Sequence, residues 1–173
     1  MSVTLTPTSV KLHTDLGDLK IEVFCESVPK TAENFLALCA SSYYDASPFH
    51  RNIPNFMVQT GAPAKPSADP KRNPGVSIFG GQFEDEINPA LKHNARGIVS
   101  MANKGPNTNN SQFFLCYGPA PHLDGKNTVF GKVIEGADST LDALESLDVD
   151  SKNRPKEKVS IQSVTIHANP LAG

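Results

Sequence analysis

Residues 49–61 read FHRNIPNFMVQTG, and they are the most informative segment of the chain. It places one arginine and one glutamine among large apolar side chains, and two short strands are predicted within it. Every second side chain of a strand points to the same face, so Arg51 shares a face with Ile53, and Gln59 shares one with Met57. Arg51 is then either a surface charge beside core phenylalanines or part of a site lined with apolar groups. The local pattern alone does not distinguish these two interpretations of Arg51.

Similar short strands are predicted on both sides of this stretch. Thr14-Asp15-Leu16-Gly17 supplies turn residues between the first two and predicts a hairpin. In the last strand the apolar positions change phase, which predicts a β-bulge near Gln162-Ser163. The predicted strands are Val10–His13, Asp18–Val23, Phe49–Ile53, Phe56–Thr60, Gly97–Met101, Gln112–Cys116, Thr128–Ile134 and Val159–His167.

Two helices are predicted among these strands. The first opens at Ser27-Val28-Pro29, with Ser27 as N-cap and the proline in the first turn. The second opens at Ser139-Thr140-Leu141-Asp142, which has the form of a capping box. Apolar residues at helical spacing should face the core: Ala32, Phe35, Leu36 and Cys39 in the first helix, and Leu141, Leu144 and Leu147 in the second.

The number and length of these elements predict a mainly β fold. Eight short strands and two helices fit a closed antiparallel β-barrel whose open ends are capped by the helices, since closure removes exposed strand edges. The 173 residues suit a single domain covering residues 1–173. The proline-rich stretch Ala62–Gly75 cannot lie inside a sheet and is predicted to be a loop.

Composition excludes several classes of function. The net charge is −2 with both signs dispersed, so no direct contact with nucleic acid is expected. The longest apolar runs are too short for a membrane span, and MSVTLTPTSV lacks the features of a signal peptide. The three cysteines are widely spaced and are expected to be reduced thiols. We therefore expect an intracellular protein.

Common catalytic motifs are missing from the chain. There is no G-x-S-x-G, no G-x-G-x-x-G, no P-loop and no H-E-x-x-H. The histidines are scattered without ligand spacing, and each is expected to be structural or solvated rather than part of a metal site. Glu84-Asp85-Glu86 is read as a solvated loop. Hydrolases, metal enzymes and cofactor enzymes are therefore disfavoured, and no cofactor is expected.

Several long segments, in order, resemble the cyclophilin family of peptidyl-prolyl cis–trans isomerases. The resemblance extends from about residue 9 to residue 169. It implies a cyclophilin-like barrel that binds proline-containing peptides and speeds rotation about the X–Pro bond. The matching segments are PKTAENFLALC (29–39), FHRNIPNFMVQTG (49–61), FEDE (83–86), VSMANKGPNTNNSQFFLCYG (99–118) and HLDGKNTVFGKVIEG (122–136).

Carried onto this chain, the resemblance implies a role for individual residues. Arg51 would be the catalytic cation, set beside an apolar pocket for the proline ring. Other side chains would hold the peptide backbone. The implied catalytic residues are Arg51, Phe56, Gln59 and Asn103, and the implied substrate-binding residues are His50, Met57, Ala102, Gln112, Phe114, His122, Leu123 and Asn127.

Three features depart from the family pattern. His122 stands where well-studied members have tryptophan, and Asn127 stands where they have histidine. The stretch 62–75 replaces a glycine-rich loop beside the groove. These changes leave a rival hypothesis open, in which the domain is a non-catalytic module that docks on a proline-bearing partner.

The ends of the chain narrow the resemblance further. MSVTL, FLALCASSYY (35–44) and SVTIHANP (163–170) resemble the small single-domain cyclophilin-like isomerases associated with the spliceosome. The resemblance implies spliceosomal proteins as partners and residence in the nucleus and/or cytoplasm, and the protein is expected to be a monomer.

Overall fold

The computed structural model describes residues 8–65 and 74–167. Each predicted strand and helix is present in these residues, with ends shifted by one or a few positions. The elements are β1 (Ser9–Thr14), β2 (Gly17–Val23), α1 (Pro29–Ala40), β3 (Arg51–Ile53), β4 (Met57–Thr60), β5 (Ile98–Met101), β6 (Phe113–Cys116), a 3₁₀ turn (Pro121–Leu123), β7 (Val129–Glu135), α2 (Thr140–Glu145) and β8 (Ile161–His167). Within the described residues, no helix has the length and hydropathy of a membrane span.

The described strands form one antiparallel sheet in the order β3-β4-β6-β5-β7-β2-β1-β8. The predicted hairpin is confirmed, because β1 and β2 pair across the two-residue turn Asp15-Leu16. The predicted bulge is also confirmed. His13 pairs with Ser163 whereas Thr14 pairs with Ile161, which leaves Gln162 as the extra residue.

The sheet curls into a half-barrel, and the closed barrel predicted above is not confirmed. Its outer strands β3 and β8 share no ladder in the described residues. The segments just before these two strands meet through one isolated bridge, Pro48–Ser160, and through bonds such as that from the Phe49 amide to the Val159 carbonyl, 2.9 Å. Pro48 has no amide hydrogen, and Ala46 has a left-handed φ of 64°. Loop backbone with these properties cannot extend a regular ladder.

The larger of two apolar clusters fills the interior between the sheet and α1. Phe35 of α1 lies at its centre, 5.2 Å from the Phe113 ring and 4.9 Å from the Phe130 ring between centroids. Leu38 is buried where the spacing predicted Leu36, which is only half-buried. Each fully buried side chain of this size stabilises the fold by roughly 1.5–3 kcal/mol.

A second apolar cluster lies on the opposite face of β4, β5 and β6. Successive residues of β6 alternate between the two clusters, with Phe113 and Leu115 inside and Phe114 and Cys116 outside. Both faces of this strand are therefore covered. The second cluster includes Met57, Ile98, Phe114, Cys116 and Val129, and half-buried Phe56, Ala102 and Leu123 pack on it.

The start of α1 differs from the prediction. Val28 is the N-cap, and no side chain of that residue or of Ser27 bonds the first turn. The Glu86 carboxylate instead accepts hydrogen bonds from the Lys30 amide (3.2 Å), the Thr31 amide (2.5 Å) and the Thr31 hydroxyl (2.6 Å). The reading of Glu86 as a solvated loop residue was wrong, because a segment far along the chain supplies the cap.

The predicted capping box of α2 is not formed. Ser139 is the N-cap residue, but its side chain makes no capping hydrogen bond. The Thr140 hydroxyl instead donates to the Asp18 carbonyl at 2.8 Å. This bond fastens the start of α2 to the β1–β2 hairpin, while Leu141 and Leu144 are fully buried beneath the helix.

Candidate active site

A groove crosses the outer face of the sheet above the second cluster. Counted with its open mouth, it has a volume of about 510 Å³. Its lining residues come from β3, β4 and the turn between them, from β6, from the segment after β5, and from the 3₁₀ turn and the segment after it. The lining residues are Arg51, Phe56, Met57, Ala102, Asn103, Phe114, Leu123 and Asn127.

Arg51 is the only charged residue among those lining the groove as described. It begins β3, is exposed, and pairs in register with Gln59 of β4. None of the ion pairs of the described residues involves Arg51. Its guanidinium donors are therefore not committed to a carboxylate of the described fold and are available to a bound molecule.

The floor of the groove is apolar. Met57 is 3% exposed and Phe114 is 4% exposed, and both rise from the second cluster. Half-buried Phe56 and Leu123 form the sides. Such a pocket suits a small apolar ring.

Amide side chains form the polar wall beside this pocket. Gln59 Nε2 donates to Gln112 Oε1 at 2.7 Å, and Gln112 Nε2 donates to the Pro74 carbonyl at 2.6 Å. Asn103 Nδ2 donates to the Lys126 carbonyl at 2.9 Å, and Asn127 Nδ2 donates to the Met101 carbonyl at 3.0 Å. These bonds orient the amides before any ligand binds.

The sequence of this chain matches the family profile described as "Cyclophilin type peptidyl-prolyl cis-trans isomerase/CLD" over residues 9–166. The chain belongs to this cyclophilin-type family.

Relatives of the same length support this assignment. Peptidyl-prolyl cis-trans isomerase-like 3 of Neurospora crassa is 73% identical over 168 residues, covering 95% of this chain and 99% of the relative. The Homo sapiens protein of the same name is 62% identical over 165 residues, with the same coverage. The expected likeness to small single-domain cyclophilins is thereby confirmed.

Solved structures agree with the fold. A crystal structure of a Cryptosporidium parvum cyclophilin type peptidyl-prolyl cis-trans isomerase is 45% identical, with a TM-score of 0.87, covering 95% of this chain and 100% of that one. A second structure of that protein, in the presence of the dipeptide Ala-Pro, has a TM-score of 0.85 and covers 93% and 99%.

His93 supports the floor of this cyclophilin groove from below. It is 1% exposed, and its ring stacks on Phe114 with centroids 6.0 Å apart and planes at 10°. Burial lowers its pKa, so the ring is neutral near pH 7. Because the Asp124 carboxylate only accepts, Nδ1 donates to it at 2.8 Å, and Nε2 accepts from the Ser100 hydroxyl at 2.8 Å.

Four residues assigned by resemblance lie outside the groove lining, and two of them, His122 and His50, do not line the neighbouring cavity either. The His122 ring packs against Phe56 with centroids 5.4 Å apart and is exposed at the rim. The His50 amide donates to the Gln59 carbonyl at 3.2 Å, and its Nδ1 is buried without a hydrogen-bond partner in the described residues. Burial lowers the pKa of His50 and keeps its ring neutral.

A neighbouring cavity of about 400 Å³ contains the remaining predicted site residues. Gln59 and Gln112 line it, and it shares Ala102 and Asn103 with the groove. Its other lining residues were not predicted, although three of them lie within the matching segment 99–118. They are Pro74, Gln82, Lys104, Thr108 and Asn110.

Proposed function

We propose that this protein catalyses rotation about X–Pro bonds in proline-containing peptides and proteins. The observation that carries the proposal is the Arg51 guanidinium, free of carboxylates in the described fold, at the edge of the apolar pocket. Crystallisation of the Cryptosporidium parvum relative in the presence of Ala-Pro supports a proline-containing ligand.

The reaction needs no nucleophile, metal or cofactor. Amide resonance gives the bond a rotation barrier of about 18–20 kcal/mol, and uncatalysed isomerisation takes roughly 10–100 s at 25 °C. In the twisted transition state the prolyl nitrogen becomes pyramidal and regains its lone pair. A donor aimed at that nitrogen or the adjoining carbonyl therefore binds the transition state more tightly than the planar ground state.

The groove supplies the parts that this chemistry needs. Arg51 stays charged, and its N–H donors lie in a fixed plane. They can therefore be directed at the lone pair that develops on the prolyl nitrogen. Phe56, Met57 and Phe114 hold the proline ring while the preceding acyl group turns. Gln59 keeps its Oε1 available to accept from the peptide backbone, because Nε2 is bonded to Gln112.

A second function is favoured by a different observation. Asn127 commits its amide donor to the Met101 carbonyl, and the His122 ring is exposed at the rim. A groove with these changes could serve as a non-catalytic module that captures a proline-bearing segment of a larger assembly. Binding without acceleration of isomerisation is the property that distinguishes this alternative.

Substitution of Arg51 tests the catalytic proposal. We expect Arg51→Ala to lower kcat/KM about 10²–10³-fold, because a transition-state donor is lost. The melting temperature should stay unchanged, since Arg51 is exposed and forms no ion pair in the described fold. Lys158→Ala, which removes an exposed cation away from the groove lining, is the control and should keep full activity.

NMR exchange spectroscopy on an X–Pro peptide measures, for each protein, the rate of cis–trans isomerisation and the binding of the peptide. Full activity of Arg51→Ala would remove Arg51 from the mechanism. A wild-type protein that binds the peptide without accelerating exchange would establish the docking module instead.

We further propose that the protein acts inside the cell, in the nucleus and/or cytoplasm, as a monomer that engages spliceosomal proteins. Support comes from the resemblance of FLALCASSYY and SVTIHANP to spliceosome-associated members. MSVTL and residues 168–170 of SVTIHANP lie outside the described residues. Sedimentation of the purified protein tests the monomer, and co-purification from nuclear extract tests the partners.

A further inference from the structure

Asn52 is a buried polar residue beside the proposed catalytic arginine. It is 0% exposed, whereas its neighbour Arg51 is exposed, because successive strand residues face opposite sides of the sheet. An amide buried without hydrogen-bond partners destabilises a fold. Its presence in the middle of β3 therefore depends on the bonds that it forms.

Both ends of the Asn52 amide are bonded to other elements. The Tyr117 hydroxyl, just after β6, donates to Asn52 Oδ1 at 2.5 Å. Asn52 Nδ2 donates to the Leu144 carbonyl at 2.9 Å. Leu144 lies in the last turn of α2, where carbonyls have no partner within the helix. Asn52 therefore ties β3 to the end of α2.

The turn between β3 and β4 is fastened to the same region. Asn55 has a left-handed φ of 70°, and its amide donates to Glu145 Oε2 at 2.7 Å. The Phe56 carbonyl accepts from the Tyr117 amide at 2.9 Å. Arg96 Nη1 donates to both the Glu145 carboxylate (2.9 Å) and the Tyr117 carbonyl (3.0 Å), which holds these two anchors together.

Asn52, Tyr117, Arg96 and Glu145 thus form one connected set, called here the brace. None of its members lines the groove or the neighbouring cavity. The brace holds the 51–56 segment from behind, and this segment carries both Arg51 and Phe56. Because Arg51 has no ion pair in the described fold, its placement depends on the backbone that the brace fixes.

We propose that the brace positions Arg51 and Phe56 for catalysis, with Asn52 and Tyr117 as the positioning residues. This inference rests on the proposed isomerase function. Misplacement of a reacting group by about 1 Å can lower a rate about 100-fold, even when the change lies away from the chemistry. The Met57 and Phe114 floor lies on β4 and β6, which pair with each other, so we expect it to stay in place without the brace.

Tyr117→Phe is the first test variant, since it removes only the hydroxyl oxygen. We expect kcat for an X–Pro peptide to fall tenfold or more, while KM changes less than threefold because the apolar floor is intact. Thr140→Val is the matched control. It removes a hydroxyl bond at the other end of the same helix, to the Asp18 carbonyl, without touching the 51–56 segment.

All variants are assayed at a temperature where each is fully folded, so that stability loss alone does not lower activity. The control should then keep wild-type kcat. Equal kcat for Tyr117→Phe and Thr140→Val, whether both are unchanged or both reduced, would overturn the positioning role.

The double variant Asn52→Leu/Tyr117→Phe separates stability from positioning. Removing both partners of the Tyr117–Asn52 bond leaves neither side chain unsatisfied, and the Leu144 carbonyl keeps its bond from the Leu147 amide at 3.2 Å. The double variant should therefore be more stable than the sum of the single losses predicts. Its kcat should nevertheless be no higher than that of Tyr117→Phe, because the bonds from Asn52 to Tyr117 and to the Leu144 carbonyl are then both absent. Recovery of kcat together with stability would contradict the proposal.

Amide hydrogen exchange of residues 51–56 gives a readout independent of activity. Exchange in this segment should be faster in Tyr117→Phe than in wild type, and unchanged in Thr140→Val. If wild type itself failed to accelerate isomerisation, the proposed function would fall while this measurement still judged the brace. Unchanged exchange in Tyr117→Phe would show that the brace does not hold the segment.

Discussion

At the scale of single residues, the groove combines oriented amides with one uncommitted cation. Gln59, Asn103 and Asn127 each donate to a partner within the protein, at 2.7–3.0 Å. Their orientation is therefore set before a peptide arrives. Arg51 differs, since its partner is expected to be the substrate. A preorganised wall of this kind favours the transition state at no cost in reorganisation.

One buried histidine, His93, and one half-buried histidine, His50, make the stability of the fold depend on pH. Burial lowers the pKa of both His93 and His50 below the ordinary value of 6.5. Above pH 6.5 these rings are neutral in the folded and the unfolded protein. As the pH falls from 6.5 towards the lowered values, the unfolded chain takes up the protons first, so the free energy of unfolding decreases.

We therefore expect the free energy of unfolding to fall between pH 7.5 and pH 5.5. Urea denaturation at several pH values measures it. His93→Gln should show a shallower decline than wild type, because one of the two groups is gone, although it is less stable at pH 7.5. A decline equally steep in the variant would show that His93 does not contribute.

At the scale of secondary-structure elements, α1 depends on a cap from outside the helix. Its first-turn amides are bonded by Glu86, which follows the exposed Glu84 by two residues. Glu84 itself pairs with the Lys30 ammonium at 2.6 Å on the surface. The two carboxylates therefore differ in their partners. Glu86 accepts from backbone amides of the helix, whereas Glu84 pairs with a flexible side chain.

Substitution of these two carboxylates should give unequal losses of stability. We expect Glu86→Ala to lower the free energy of unfolding by about 1–2 kcal/mol, the usual effect of losing an N-terminal cap. Glu84→Ala is the control and should change it little, since exposed ion pairs contribute little. Chemical denaturation provides the comparison. Equal losses in the two variants would mean that the capping bonds are not what stabilises α1.

At the scale of the whole molecule, the solvent accessibility of the three thiols reflects how well the two apolar clusters are shielded from solvent. Cys39 lies in the interior cluster and is 5% exposed, whereas Cys116 lies beneath the groove and is 0% exposed. Burial raises the pKa of both, that of Cys116 to about 12. Cys25 is half-buried near the surface.

We expect a thiol reagent to modify Cys25 in the native protein while Cys39 and Cys116 stay unmodified. The thiolate is the reactive form, and these two are both inaccessible and protonated. Their labelling should require global unfolding, with rates that rise with urea as the stability falls. Mass spectrometry counts the labels, with Cys25→Ser as control. Rapid native labelling of that control would indicate that the clusters open locally.

Much of this fold could be predicted from the sequence, because local periodicity reports local structure. The alternation in β1, β2 and β8, the two-residue turn at Asp15-Leu16 and the bulge at Gln162 all follow from which residues must face the core. The site residues followed from the resemblance of long segments, and the structure places eight of them around one groove.

Other features were decided only by the tertiary structure. The cap on α1 joins residues 55 positions apart in the chain, and the Asn52 bonds reach 65 and 92 positions. A period of two or 3.6 residues carries no information about such partners, because it records only which side of an element is buried. Whether the sheet closed depended on the backbone of the 46–49 loop. Local patterns thus determined the strands and helices, while long-range bonds between buried polar groups decided how the site is held.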